Sequence, residues 1–224
     1  GLLENTPRLD WGNGVPAVLV EEGRTNLVPQ SEYFNFSGYT TFASSFTDNA
    51  TTSPEGLQNA AELSGDGTTG QIFLRENTTL LNTGKYTFSL FAKYKDNSDA
   101  TNIFLSFSEF GSGNGSCYFD IKNGVKGTES GVTGDIKDYG NGWYRCSITS
   151  NFTDGVDLFG RLQFYLADSA ESFVFTPNNA NAESYFYGFQ IEEGSAPSSY
   201  IPTYGTSQTR SNETVSDTFS IPTT

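Results

Sequence analysis

A chain of 224 residues with a net charge of −14 and neither His nor Met excludes much before any motif is read. The length suits one large β domain, the charge disfavours nucleic acid or an anionic membrane surface as partner, and the missing His removes Ser-His-Asp, Cys-His and His-based zinc chemistry. The 24 Gly, 19 Phe and 12 Tyr suit short aromatic strands joined by tight turns, and no apolar run reaches membrane-spanning length.

In chain order, residues 1–16 read as an extended lead-in containing Pro7, closed by the turn Gly12-Asn13-Gly14. The first residues carry neither the basic nor the apolar region of an export leader. A leader already removed, an internal piece of a longer chain, or release by lysis would each account for that. Ala17–Val20 is a short apolar strand, Glu21–Leu27 a polar link, and Pro29–Tyr39 an aromatic-rich loop. Strand candidates then recur at sandwich spacing: 42–47, 59–64, 71–76, 85–94, 102–107, 117–121, 143–149, 160–166 and 184–192. Gly56–Leu63 has a faint helical look but follows Ser53-Pro54-Glu55, so it reads as a turn entering a strand.

Residues 85–94 alternate most clearly, with Tyr86, Phe88, Leu90, Ala92 and Tyr94 on one face. Asn141-Gly142-Trp143-Tyr144-Arg145-Cys146-Ser147-Ile148-Thr149 shows the same design, a Gly/Asn turn opening a half-buried strand. Gly111–Gly115, Lys122-Asn123-Gly124 and Thr176-Pro177-Asn178-Asn179 mark further turns. Such strands bury one apolar face each, which is satisfied by a second sheet. The expectation is therefore an all-β, two-sheet antiparallel sandwich over residues 17–203, with an exit linker over 204–224. Cys117 and Cys146 fall on predicted strands, and two readings stand: a disulfide, or two buried free thiols.

The ligand candidates are mixed strand faces. Arg161, Gln163 and Tyr165 alternate with Leu162, Phe164 and Leu166; Phe91 with Lys93, and Gln71 with Phe73 and Arg75, are similar. Sharing one sheet, they would set stacking rings beside planar hydrogen-bonding groups, which suits carbohydrate. The same face could equally be covered by another subunit or by the tails. Trp143 and Arg145 share a strand face and are read as packing residues, with sugar stacking the other reading. Arg24 and Arg8 are lone cations in an acidic chain and read as structural ion-pair formers. No pair of carboxylates facing across a cleft, as a glycosidase needs, is evident.

Three blocks carry a resemblance. Val18-Leu19-Val20-Glu21-Glu22-Gly23-Arg24-Thr25-Asn26-Leu27 with Ser31-Glu32-Tyr33-Phe34 resembles the "LLIEExRTNLLxYSExF" opening of domains common in bacteriophage and prophage tail or minor structural proteins. The others are Gly140–Ile148, and Tyr187–Gly194 with Ser198-Ser199-Tyr200-Ile201-Pro202-Thr203; Thr6–Asp10 resembles the "PRxDY" segment upstream, and Thr209-Arg210 the exit. That family is in turn similar to jelly-roll carbohydrate-binding modules, whose first strand carries an Asn-Leu pair matched by Asn26-Leu27, and whose last lies near an acidic pair matched by Glu192-Glu193.

The resemblance implies a non-enzymatic virion module, in a tail fibre or other surface appendage, extracellular and homo-oligomeric. It would touch other subunits or flanking domains and present a face to host glycan, with no nucleic acid and no membrane insertion. The alternative is a carbohydrate-binding module of a secreted polysaccharide-active enzyme. Asn26, like Arg24, is read as a structural residue. If first and last strands are neighbours, Glu22 and Glu192 could hold a structural Ca²⁺; the other reading is that they are solvated strand-end charges.

Overall fold

The computed structural model describes residues 8–10, 17–68, 70–175 and 181–213, and every regular element among them is a strand. The short β1 (Arg8–Asp10) and β2 (Ala17–Leu19) pair with each other, and β3 (Arg24–Asn26) follows. The body comprises β4 (Thr40–Phe42), β5 (Ser44–Thr51), β6 (Ala60–Gly65), β7 (Gly70–Gln71), β8 (Phe73–Thr79), β9 (Gly84–Tyr94), β10 (Asn102–Ser108), β11 (Gly115–Asp120) and β12 (Val125–Ser130). It continues through β13 (Thr133–Asp138), β14 (Trp143–Phe152), β15 (Phe159–Ala167), β16 (Val174–Phe175), β17 (Glu183–Glu193) and β18 (Gln208–Arg210).

Two six-stranded sheets result. Sheet one runs β12-β11-β10-β15-β8-β4 and sheet two runs β13-β14-β9-β17-β6-β5, with every pairing antiparallel. This is the expected two-sheet sandwich. At each edge the chain steps directly between sheets: Ala43 alone separates β4 from β5, and Gly131-Val132 separates β12 from β13. These crossings blunt the open edges on which other chains could pair.

Alternation places one face of each strand inside. Tyr86, Phe88 and Leu90 of β9 and Leu162, Phe164 and Leu166 of β15 are all fully buried. The interior is largely aromatic: rings pass contact from Phe46 to Phe34 (5.3 Å), from Phe164 to Phe186 (4.8 Å), from Phe88 to Phe189 (5.2 Å) and from Phe107 to Phe152 (5.2 Å). Stacked, tilted and edge-to-face packing of this kind adds to the area buried.

A bulge in β17 refines the pattern. Register shifts between Tyr187 and Gln190, so Phe186 and Phe189 both reach the core while Tyr187 and Gln190 face outward. Gly188 adopts φ 66°, and a Cβ there would meet the Phe91 ring at 2.9 Å; only glycine fits without displacing that ring.

β12 and β13 were not among the predicted strands. They are mostly exposed edge strands, VKGTES and TGDIKD, without the apolar alternation that marks a half-buried strand. Nor does the chain fade into a linker after Thr203: β18 pairs with β3, Arg210 opposite Arg24 and Gln208 opposite Asn26. The predicted turn at 176–179, the tail beyond 213 and most of the predicted lead-in lie outside the described residues, as does the side chain of Arg8. Cys117 and Cys146 are free and fully buried. Burial pushes the Cys117 thiol up to about 12 and holds that of Cys146 well above the usual range, which keeps both protonated and unreactive.

One acidic group faces inward. Glu76 of β8 lies opposite Leu162 and is 7% exposed, and desolvation raises its carboxyl to about 7. The folded state therefore favours the neutral acid, so this group's contribution is intact below about 4.5, the unfolded value. It is lost as pH climbs toward 7, because the unfolded chain ionises first. Urea melts between pH 5 and 8 should show wild type losing about 2 kcal/mol more than Glu76→Gln over that interval. Parallel curves for the two proteins would refute the assignment.

Candidate functional site

Arg161, Gln163 and Tyr165 project from β15 on the outer side of sheet one. Their cross-strand neighbours are Ser108 and Asn77, Ser106 and Arg75, and Phe104 and Phe73 respectively. The sheet therefore assembles two rows. An aromatic row crosses five adjacent strands as Tyr118, Phe104, Tyr165, Phe73 and Phe42, with successive centroids 4.5, 5.5, 5.0 and 5.7 Å apart. Beside it runs a polar row of Ser116, Ser106, Gln163, Arg75 and Thr40. At ordinary strand spacing five strands span roughly 19 Å.

The polar groups hold one another in place. The Gln163 amide donates to the Tyr165 hydroxyl at 2.7 Å and accepts from Ser108 Oγ at 2.7 Å. Arg161 pairs with Glu109, both partly exposed, a contact worth little to stability in water. Burial raises the Tyr165 hydroxyl pKa, with Arg75 and Arg161 pulling the other way, so the phenol stays neutral as donor and acceptor. Arg75 Nε is buried without a hydrogen-bond partner. Phe173 packs against Phe104 (4.9 Å) and Tyr165 (5.1 Å), capping part of the aromatic row.

The most accessible rings stand at the margins. Phe42 is 54% exposed and Phe159, two residues before Arg161 on the same side of β15, is 56% exposed. Rings so placed can pack against the apolar face of an incoming ligand. Phe42, Phe159 and Phe173 escaped sequence reasoning. Phe159 continues the alternation of Arg161, Gln163 and Tyr165 and could have been found by extending that strand; the places of Phe42 and Phe173 depend on tertiary packing.

Phe91 and Lys93 do not continue this surface. β9 belongs to sheet two, where Phe91 lies between Arg145 and Tyr187 and Lys93 between Trp143 and Tyr185. Alternation had given the correct side of the strand but not its sheet. Trp143 is 2% exposed and donates its indole N–H to Thr52 O at 3.0 Å. Arg145, 5% exposed, donates to Ser198 O at 2.6 Å and Ser89 Oγ at 3.0 Å.

The motif residues near the ends fasten segments together. Asn26, fully buried, donates to Phe189 O and Ile201 O and accepts from the amides of Val28 and Ile191. It thereby locks the β17 bulge, β3 and the segment before Thr203 into one unit. Arg24 donates to Glu193 O at 2.8 Å and pairs with Glu22 at 3.4 Å. Glu21 and Arg210 lie 3.1 Å apart across the same junction.

Neither reading of the acidic pairs describes Glu192. It is fully buried, and its carboxylate accepts from Gln190 Nε2, Ser198 N and Ser198 Oγ, so it is neither solvated nor left open to a cation. Glu22 faces Arg24 instead. Among the described residues no group of three or more acidic or Cys side chains is placed to hold a metal ion.

No family profile and no curated protein matches the chain. Solved structures to which it is similar include TmCBM61 in complex with β-1,4-galactotriose, at 14% identity and a TM-score of 0.46, covering 75% of this chain and 99% of that one. The CBM22-1–GH10 modules of Clostridium thermocellum xylanase Xyn10B with xylohexaose align at 11% identity and 0.43, covering 81% of this chain and 30% of that one. The CBM22-2 xylan-binding domain of Paenibacillus barcinonensis Xyn10C aligns at 11% and 0.43, covering 76% and 98%.

Proposed function

We propose that the domain is a non-catalytic glycan-binding module that lays a polysaccharide across the outer face of sheet one. The observation that carries this reading is the band of Arg161, Asn77 and Arg75, backed by the buried Gln163 and Tyr165 and bracketed by the exposed rings of Phe159 and Phe42. Sugar rings present apolar faces to aromatic side chains and hydroxyl edges to planar donors and acceptors, and this face supplies both along a line. Affinity per site is modest, since Gln163, Tyr165 and Phe73 are buried, only the marginal rings and polar groups can meet a ligand, and the sugar hydroxyls must be desolvated. Repetition along a fibre, or attachment to a polysaccharide-active enzyme, would raise it through effective concentration.

The test is affinity electrophoresis and calorimetry on a panel of neutral and acidic polysaccharides. Phe159→Ala and Phe42→Ala should each weaken binding about tenfold, and Arg161→Ala somewhat less. Undiminished binding by all three variants, or none by a multimerised wild type across the panel, would overturn the reading.

A further inference from the structure

On the far side of the sandwich, stretches remote in sequence meet around a hollow of about 190 Å³. Phe91 and Tyr187 form its floor, Tyr139 and Tyr200 its walls, and Pro54 and Glu55 part of its rim. The turn before β14 delivers Tyr139 because Gly140, Asn141 and Gly142 all take positive φ (79°, 53° and 78°), which reverses the chain tightly.

The rings are fixed in advance. Tyr139 meets Phe91 edge-to-face at 4.9 Å, and Tyr200 meets Tyr187 at 5.2 Å. The hydroxyls of Tyr187 and Tyr200 both donate to Glu32 Oε1 at 3.2 Å, and Tyr200 also bonds Ser31 Oγ at 2.6 Å. Burial, then the neighbouring Glu32, raises the pKa of both phenols, so neither ring becomes an anion at ordinary pH. Binding here would cost little reordering.

The chemistry of the walls selects among occupants. The Arg145 charge is balanced through Ser198 by the buried Glu192 carboxylate, and Glu55 is the exposed charge at the rim, so an anionic ligand is disfavoured. A cationic one is disfavoured too, because the Arg145 guanidinium already lies 5.2 Å from the centroid of Phe91. The volume falls below the ~300–1,000 Å³ of drug-sized sites. What remains is a small neutral ring with an apolar face and a hydroxyl edge. We infer that this pocket takes one neutral pyranose, the terminal unit of a glycan, independently of the face on sheet one. The inference rests on the glycan reading and adds a second, end-recognising site.

Trp143 packs in the cluster beneath the pocket with Phe91 and Tyr187, so its indole N–H resonance is the reporter. The full chain would be titrated with methyl glycosides of neutral hexoses and pentoses, with methyl glucuronide and choline as charged probes. A neutral glycoside should shift the Trp143 signal saturably in wild type and in Phe159→Ala, with affinity down about tenfold in Tyr139→Ala. Tyr139 is 43% exposed, so that variant should fold; Glu55→Gln, also at the surface, provides a second variant and should weaken binding severalfold. Several results would overturn the inference while sparing the sheet-one face: no shift with any neutral glycoside although polysaccharide still binds, a shift only with the charged probes, or affinity indifferent to both substitutions. Failure of every glycan to bind anywhere would remove both readings.

Discussion

Asn26→Ala should destabilise the domain by about 4 kcal/mol or more, among the largest effects of any single substitution outside the aromatic core. Asn26 makes four hydrogen bonds while fully buried, and truncation leaves Phe189 O, Ile201 O and the amides of Val28 and Ile191 without that partner. Each buried group so abandoned costs about 1–3 kcal/mol, partly offset by relaxation. Asn26→Asp sharpens the test. The aspartate can still accept from the two amides, but its second oxygen then faces two carbonyl oxygens, so it should be no better than Ala. Thr25→Ala, next in sequence, loses only a hydroxyl contact with Thr209 at an exposed position and should cost under about 0.5 kcal/mol. Urea unfolding of the three variants decides the matter; an Asn26→Asp protein as stable as wild type would show that the side-chain amide is not what joins these segments.

The second large effect concerns the buried charges of sheet two. Arg145 and Glu192 make no direct contact in the bonds described above; both bind Ser198, the guanidinium through its carbonyl and the carboxylate through its amide and hydroxyl. The serine peptide therefore bridges two opposite charges out of water. Arg145→Met should cost about 3 kcal/mol, because it strands the carboxylate without its balancing cation. Glu192→Gln should cost less, since an amide can still engage Gln190 and Ser198. The double variant should be more stable than the sum of the two losses by about 1 kcal/mol. Strict additivity in a double-mutant cycle would mean that the two charges do not sense each other.

How much of this could be read beforehand differs by element. Strands with an alternating apolar face declared themselves: in β9 Tyr86, Phe88 and Leu90 enter the core while Thr87, Ser89 and Phe91 point the other way, and in β15 Leu162, Phe164 and Leu166 enter it opposite Gln163 and Tyr165, although both sides of each strand are buried. Alternation fixes which residues share a side but not which sheet a strand joins, and Phe91 was accordingly grouped with Tyr165 although the whole sandwich lies between them. The bulge at Gly188 also escaped notice, because one extra residue leaves composition unchanged while turning Phe186 and Phe189 the same way. Polar edge strands such as β12, and the three-residue β3 and β18, carry too little apolar signal to be distinguished from loops. Glu192 was misjudged for a related reason: a carboxylate at a strand end reads as solvated until Ser198, six residues later, is seen folding back over it.

The pairing of β3 with β18 also determines how the domain bears load. Arg24 opposes Arg210 at one end of the short ladder and Asn26 opposes Gln208 at the other, so the chain arrives and departs at the same corner. Tension between flanking segments does not cross the two large sheets. It opens the Glu21–Glu213 and Gly23–Asn212 bonds first, then the Glu21–Arg210 pair, and then peels the ladder one residue at a time, as a zipper yields rather than as a lap joint shears. Extension should halt at Asn26, whose four bonds join β3 to β17 and to Ile201. A pull applied at both ends should therefore slacken this corner and, through the Ser199 bonds to Glu21 and Arg210, loosen the rim of the sheet-two hollow before the face on sheet one is disturbed.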